Sequence, residues 1–200
     1  MIKTNIKDPE RVRKRQEQIC RGAMKVFRRK GFHATSMREI AAATGISLGN
    51  IYDYIEKKED ILFLVHNYIL SRIYRQFEEG VKASDNPVEQ LRSVMRGNLQ
   101  LTIQLREEIL FIYTETKSLE KRFLTEVLKK EAEFVARFET LIRQGVDRGV
   151  FRCDRPGLFA NIIVYLLTIF PLRGWNILRT HTEEELIEEV TRLILAGLGV

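Results

Sequence analysis

The sequence is poor in the residues that build disulfide frameworks, metal centres and catalytic sites. Its 2 cysteines, Cys20 and Cys153, stand far apart and form no Cys-x-x-Cys or Cys/His pattern, so neither a disulfide framework nor a zinc site is indicated. The 3 histidines, His33, His66 and His181, are dispersed, and neither a Ser/His/Asp signature nor a glycine-rich phosphate loop occurs. We therefore expect a protein that is not an enzyme, with no catalytic residues, no metal and no cofactor.

Long apolar runs are also missing. The most apolar stretch, residues 158–172, contains Asn161 and Pro171 and is shorter than the ~20 residues of a membrane-spanning helix. No apolar segment of the secretory type follows Met1. These features predict a cytoplasmic protein without a membrane partner, in which the stretch belongs to one buried helix over residues 157–175.

What the sequence does have is positive charge concentrated at one end. Residues 1–58 hold 14 of the 33 Lys and Arg residues and 6 of the 27 Asp and Glu residues, a local net charge of +8 in a chain whose total is +6. Such asymmetry is typical of a module for nucleic acid, or for a membrane surface, attached to a near-neutral body. Charge leaves both alternatives open.

Helix signals recur along the chain, and the alternation typical of strands is nearly absent, which predicts an all-α protein of about nine helices. Asp8 and Pro9 suit the start of a first helix that ends before Gly31. Residues 36–39 and 182–185 each have the pattern of a capping box, which marks the start of a helix.

Residues 36–55 predict two short helices joined by a turn at Gly45-Ile46-Ser47. Ile40, Ala41, Ile46 and Ile51 are spaced to form a small inner core, which leaves polar residues for the outer face. In such a helix-turn-helix unit, the second helix enters the major groove of DNA through its N-terminal residues. Two ordinary helices of a larger helical domain are the alternative that the spacing alone leaves open.

The segment TSMREIAAATGISLGNIYDYI, residues 35–55, followed by KEDI at residues 58–61, resembles the signature segment of TetR-family regulators. The resemblance covers residues 11–62 well, and the rest of the chain agrees in length and helix order. It implies a three-helix DNA-binding domain at 1–58 and a helical-bundle domain for ligand binding and dimerisation at 59–200. The expected DNA-binding residues are Arg38, Ser47, Leu48, Gly49, Asn50, Tyr52, Asp53, Tyr54 and Lys58.

The chemistry of these residues suits double-stranded operator DNA. Arginine can pair with guanine and asparagine with adenine, so we expect Arg38 and Asn50 to read bases, while Tyr52 and Lys58 contact phosphates. Asp53 either accepts a hydrogen bond from a cytosine or pairs with a nearby lysine. Backbone or minor-groove contacts are expected from a basic cluster formed by Lys3, Lys7, Arg11, Arg13, Lys14 and Arg15.

The body of the chain is expected to bind an effector. Candidate pocket residues are Met95, Leu99, Phe111, Tyr113, Phe134, Phe138, Phe159 and Tyr165, although aromatic residues at helical spacing are more often core. Polar candidates that can orient a ligand are Arg96, Asn98, Gln100, Gln104, Arg137 and Asn161. The resemblance extends weakly to members that regulate fatty-acid metabolism, which ranks an acyl-CoA ligand first and a multidrug-type ligand second.

A homodimer is the expected assembly, because the family pairs its last two helices across a two-fold axis. Leu186, Val190, Leu193 and Ile194 are the expected interface residues on the last helix. Two recognition helices related by the axis would read a pseudo-palindromic operator, from which the effector releases a repressor. The fourth helix, which begins beside Lys58, is expected to be the only direct covalent lever between the two domains.

Overall fold

The structure is a computed structural model, and it describes residues 2, 4 and 6–200. Helices account for all the regular structure of these residues, so the predicted all-α class is confirmed. The ten α-helices within them are α1 (Pro9–Lys30), α2 (Met37–Thr44), α3 (Leu48–Tyr52), α4 (Lys58–Lys82), α5 (Pro87–Gln104), α6 (Arg106–Glu115), α7 (Lys121–Asp147), α8 (Pro156–Leu166), α9 (Ile169–Ile177) and α10 (Glu183–Gly197), with a 3-10 turn at Thr116–Ser118.

The apolar helix predicted over residues 157–175 is divided in two, and that prediction was wrong. Pro171 has no N–H to donate one turn back, and its ring would clash with the carbonyl there. The helix therefore ends at Leu166, and Pro171 lies in the first turn of α9. The two helices meet at an angle of 49°.

Two compact units divide the chain. Met1–Ile69 and Leu110–Val127 form the first unit, and Leu70–Ile109 and Leu128–Val200 form the second. This division differs from the boundary predicted at residue 58, because the chain returns to the first unit after leaving it. The prediction that α4 is the only covalent lever is wrong, since α6 and α7 also pass from one unit into the other.

Helix α1 provides the central apolar face of the first unit. Asp8 caps its start by accepting hydrogen bonds from the next two free amides, and Gly31 ends it with a φ of 81°. Ile19, Ala23 and Phe27 lie on its buried face. Burial of such side chains contributes about 1.5–3 kcal/mol for each large residue, which fixes the helices that pack on α1.

Residues 110–127 belong to the first unit through ring stacking and ion pairs. Phe111 stacks on Phe27 with centroids 5.1 Å apart, and Phe123 stacks on Phe63 at 4.3 Å. Further links join Lys57 with Glu120 and Asp60 with Arg122. Helix α1 and the start of α4 are thus packed against a segment that lies far away in sequence.

His66 lies in this interior. Its side chain is 1% exposed, and burial lowers the pKa of His66 to about 4. Its Nε2 lies 3.5 Å from the Thr116 hydroxyl. The ring is neutral at physiological pH and belongs to the core.

The second unit is held by a core that draws on α4, α5 and α7–α10. Phe77 contacts Phe134 and Phe138 edge-on, at centroid distances of 5.8 and 4.9 Å. A Cβ on Gly80 would lie 2.7 Å from the Cα of Val94, so α4 and α5 cross as closely as only glycine permits. The unit is therefore a close-packed helical bundle.

Two properties of the described residues bear on other classes of protein. None of their helices is by itself long and apolar enough to span a membrane; α8 and α9 meet that test only as a bent pair. Nowhere among residues 2, 4 and 6–200 do three or more His, Cys, Asp or Glu side chains gather as metal ligands would.

Candidate nucleic-acid interface

Helix α2 is anchored at its start by a capping box. The Ser36 hydroxyl accepts a hydrogen bond from the Glu39 amide at 3.3 Å, and the Glu39 carboxylate accepts one from the Ser36 amide at 2.9 Å. Hydrogen bonds from Lys30 and then from Ser36 lower the pKa of Glu39 to about 2. The carboxylate therefore stays ionised and keeps the first turn of α2 fixed.

The turn between α2 and α3 needs glycine at its first position. Gly45 has a φ of 69°, a left-handed conformation that side chains disfavour. Ser47 then caps α3, because its hydroxyl accepts the Asn50 amide at 3.3 Å. Ile46 in this turn and Ile51 on α3 are buried, as the sequence predicts, and this fixes which face of α3 remains outside.

The outer face of α3 carries most of the residues expected to bind DNA. Ser47, Gly49 and Asn50 are exposed, Tyr52 is 45% exposed, and Leu48 and Asp53 are half-buried. Arg38 is exposed in the first turn of α2. The helix-turn-helix thus presents donors, acceptors and an aromatic hydroxyl on a packed support.

Tyr54 departs from this pattern. It is 3% exposed, so its placement on the DNA face was wrong. Helix α3 ends at Tyr52, and the chain beyond it turns inward, which carries the Tyr54 ring into the core. The Arg15 guanidinium lies 6.0 Å from the centre of this ring, and Gln16 Nε2 donates to the Tyr54 carbonyl at 3.0 Å.

Lys58 also has a different role from the predicted phosphate contact. Its Nζ donates to the carbonyls of Phe32, His33 and Thr35 at 2.8, 3.2 and 3.0 Å. It also lies 4.6 Å from the centre of the Phe32 ring, within the range of a cation–π interaction. Lys58 therefore ties the loop between α1 and α2 to the start of α4, and its ammonium is occupied by the protein itself.

The structure describes part of the N-terminal basic cluster. Lys3 falls outside the described residues. Arg13 pairs with Glu17 at 3.1 Å and Lys14 with Glu10 at 2.8 Å, and all four side chains are at least one-third exposed. Exposed pairs one helical turn apart stabilise a helix by only about 0.3–0.5 kcal/mol, so these cations can exchange their partners for phosphates at little cost.

Four of the expected pocket residues are core residues of the second unit. Met95 and Leu99 on α5 and Phe134 and Phe138 on α7 are at most 4% exposed. The two phenylalanine rings meet at 88° with centroids 5.3 Å apart. Such packing is what the core alternative predicts.

The other expected pocket residues lie elsewhere. Phe111 and Tyr113 belong to the first unit, where Phe111 stacks on Phe27 and Tyr113 is 58% exposed. Tyr165 is 64% exposed on α8, and Phe159 is half-buried. Placing Tyr113 and Tyr165 in an internal pocket was wrong, because apolar spacing does not tell an interior face from an outer one. Phe111 was wrongly placed because it packs in the first unit and not in the second.

The expected interface residues of α10 divide into two sets. Val190 and Ile194 are 3% and 2% exposed, and with half-buried Leu186 they pack in the core of their own unit. Leu193 is 51% exposed. Assigning Val190 and Ile194 to the dimer interface was therefore wrong, while Leu186 and Leu193 stay predictions.

An exposed apolar face lies on α8, in the apolar segment that was expected to pair with the last helix in the dimer, but its residues were not named as interface residues. Leu158, Ile162 and Tyr165 on α8 are 56%, 46% and 64% exposed. Their spacing of four and then three residues places them on one side of the helix. That spacing is visible in the sequence, but it falls inside a run so apolar that no face stands out.

A capped, outward-facing second helix in a helix-turn-helix, joined to a separate helical unit, defines a DNA-binding regulator. The chain belongs to the TetR family. The model described as bacterial regulatory proteins of the tetR family matches residues 19–65, and the one described as the tetracyclin repressor-like C-terminal domain matches residues 84–198. These proteins are transcriptional regulators and not enzymes.

Individual relatives agree with this assignment. The transcriptional regulator HbdR of Aromatoleum sp. (strain CIB) is 26% identical over 97% of this chain and 85% of its own length. The fatty acid metabolism regulator protein of Bacillus subtilis is 30% identical over 42% of this chain and 43% of its own. The crystal structure of AibR with isovaleryl coenzyme A and operator DNA is similar with a TM-score of 0.74 and 25% identity, over 90% of this chain and 97% of that one.

Proposed function

We propose that this protein is a cytoplasmic, homodimeric repressor that leaves a pseudo-palindromic operator when it binds a hydrophobic effector of the acyl-CoA type. The observation that carries operator binding is the outer face of α3, where Ser47, Gly49 and Asn50 are exposed while Ile51 is buried. A packed inner face gives the outer one a fixed position, and fixed geometry is what base recognition in a groove requires.

Within this face we assign separate roles. Arg38 and Asn50 read base edges, since their side chains are exposed and can each make two hydrogen bonds to a base. Tyr52 contacts a phosphate, and Gly49 allows the backbone to approach the DNA because nothing lies within 4 Å of where its Cβ would be. Lys58 acts indirectly, by holding the loop that leads into α2.

The proposal of a homodimer rests on the exposed apolar residues of the second unit. Leu158, Ile162 and Tyr165 on α8 and Leu193 on α10 are each at least 46% exposed. Large apolar side chains grouped on the outer side of a helix, as on α8, are costly in water and mark an interface. A second copy is the proposed occupant, since regulators of this family dimerise.

The proposal of an acyl-CoA ligand rests on one relative and one buried amide. AibR, to which this chain is 25% identical, has been crystallised with isovaleryl coenzyme A. Of the six polar candidates, Asn98 is fully buried, between the buried Met95 and Leu99 on α5. Its Nδ2 donates to the Val94 carbonyl at 3.0 Å, while its Oδ1 accepts no hydrogen bond from the described residues.

A buried carbonyl oxygen without a donor costs about 1–3 kcal/mol, so Asn98 is suited to accept a hydrogen bond from a ligand. The pantetheine arm of an acyl-CoA carries amide N–H groups of the required kind. Met95 and Leu99, the buried neighbours of Asn98 along α5, are apolar like an acyl chain and would have to move to admit it.

The test is calorimetric titration of a long-chain acyl-CoA into the protein, with and without operator. Coupling between two sites is reciprocal. Operator should therefore lower the affinity of the protein for the ligand by the same factor as the ligand lowers its affinity for operator, about 5- to 150-fold. Asn98→Leu should lower the affinity for the ligand about tenfold, because the acceptor Oδ1 is lost. Gln100→Leu, which removes an exposed amide from the same helix, is the matched control and should change nothing.

Equal ligand affinity with and without operator would exclude release by this ligand. Failure of the acyl-CoA to bind at all would reject the acyl-CoA proposal and leave operator binding to be tested separately.

A further inference from the structure

The recognition helix α3 is short and weakly supported by its own backbone. It has five residues, little more than one turn, and a helix of this length is not stable without packing against the rest of the protein. At its end the Ile51 carbonyl accepts the amides of Asp53, Tyr54 at 3.0 Å and Ile55 at 3.2 Å. The last carbonyls of a helix have no partner within it, so the carbonyls of Asp53 and Tyr54 need donors from outside α3.

Both of these carbonyls receive a side-chain donor from the N-terminal part of the chain. The Thr4 hydroxyl donates to the Asp53 carbonyl at 2.8 Å, and Gln16 Nε2 donates to the Tyr54 carbonyl at 3.0 Å. Asp53 is the C-cap of α3. The end of the recognition helix is therefore held by two consecutive hydrogen bonds, one from the segment before α1 and one from α1.

The Thr4 hydroxyl is itself oriented. It accepts a hydrogen bond from the Ile6 amide at 3.2 Å, which leaves its proton free to point at Asp53. Ile2, two residues earlier, is 7% exposed, so an apolar anchor fixes the segment on the other side. Thr4 is thus restrained from both sides.

We propose that Thr4 is a positioning residue for the recognition helix, and that Thr4 affects operator affinity through the geometry of α3 rather than through charge. Thr4 has no charge to offer to a phosphate, and its hydrogen-bonding capacity is used within the protein. The proposal rests on the proposed operator binding, but its structural part can be measured without DNA.

The first measurement is amide hydrogen exchange in the free protein. Thr4→Val keeps the shape of the side chain and removes the donor, so the Tyr54 and Ile55 amides should exchange about threefold faster. Thr4→Ser keeps the hydroxyl and should restore protection. Thr125→Val is the matched control, because the Thr125 hydroxyl also bonds a backbone carbonyl, that of Lys121, at an exposed position.

The second measurement is operator affinity against affinity for random duplex. Each Thr4→Val subunit should lower the affinity for its half-site about threefold, so a dimer on two half-sites should lose about tenfold in operator affinity. The affinity for random duplex should change less than about twofold. The slope of affinity against salt should stay unchanged, since no phosphate contact is removed. Thr4→Ser should recover the affinity, and Thr125→Val should match the wild type.

Unchanged exchange at Tyr54 and Ile55 in Thr4→Val would overturn the positioning role. Equal losses of affinity for operator and for random duplex would overturn it as well, and so would a shallower slope of affinity against salt. Either result indicates that Thr4 contacts the DNA backbone directly. Faster exchange in a protein that binds no DNA would instead remove the proposed function and leave the hydrogen bond as a local support of α3.

Discussion

Leu193→Asp is expected to give a folded monomer that has lost tight operator binding. Leu193 is 51% exposed on α10, so aspartate there costs the isolated subunit little. In the proposed dimer the same carboxylate would be buried without a partner, a cost of several kcal/mol. A monomer also loses the linkage between two half-sites, which lowers operator affinity by about 100-fold or more.

Two variants separate dimerisation from folding. Val190→Asp places the charge at a position that is 3% exposed in the core, and it should unfold the second unit. Leu128→Asp makes the same change as Leu193→Asp on a leucine that is 52% exposed on α7, and it should remain dimeric. Sedimentation velocity at micromolar concentration and circular dichroism report both properties. A Leu193→Asp protein that sediments as a dimer would refute the proposed surface, as would dissociation by Leu128→Asp.

Gly22→Ala is expected to disturb the helix-turn-helix through one contact. A Cβ on Gly22 would lie 2.3 Å from Thr44 Cγ2 and 3.2 Å from Thr44 Cα, so α2 must move away from α1. Thr44 is the last residue of α2, and its hydroxyl accepts the Ile46 amide in the turn. The shift therefore reaches the turn before α3. Overpacking of this kind costs about 1–3 kcal/mol, which urea unfolding measures.

Thr44→Ser should rescue the Gly22→Ala protein. Serine keeps the hydroxyl but lacks Cγ2, and alanine is a better helix former than glycine by up to about 1 kcal/mol, so the double variant should approach wild-type stability. Gly49→Ala is the contrasting variant, since nothing lies within 4 Å of its Cβ position. It should keep stability and lose operator affinity. A Gly22→Ala protein as stable as the wild type, or no rescue by Thr44→Ser, would contradict this assignment.

Local signals explain what the sequence predicted well. The cap at Asp8, the capping box at Ser36 and the glycine at the turn each act within four residues, and the corresponding helices begin where they were expected. The inner core of Ile46 and Ile51 follows from spacing along the same short segment. These features predicted both the helical class and most of the proposed DNA-binding face.

Contacts between distant residues explain what could not be predicted. Lys58 is occupied by carbonyls 23–26 residues away, and Phe111 stacks on a ring in α1. Helix α10 is apolar on two faces, and spacing cannot tell which of Val190 and Leu193 meets its own core. Thr4 gives no signal in the sequence, since its partner is a backbone carbonyl 49 residues away.

Selection of bound sites from a pool of random duplexes is the most direct test of sequence-specific DNA binding by the α3 face. We expect the wild-type protein to enrich one pseudo-palindrome whose half-sites lie about 34 Å apart or at a related spacing. The same selection with Asn50→Ala should lose preference at one position of each half-site, since the side-chain amide that reads it is gone. A pool that stays random with the wild-type protein, or an enriched site that Asn50→Ala selects equally well, would contradict the assignment of α3 as the recognition helix.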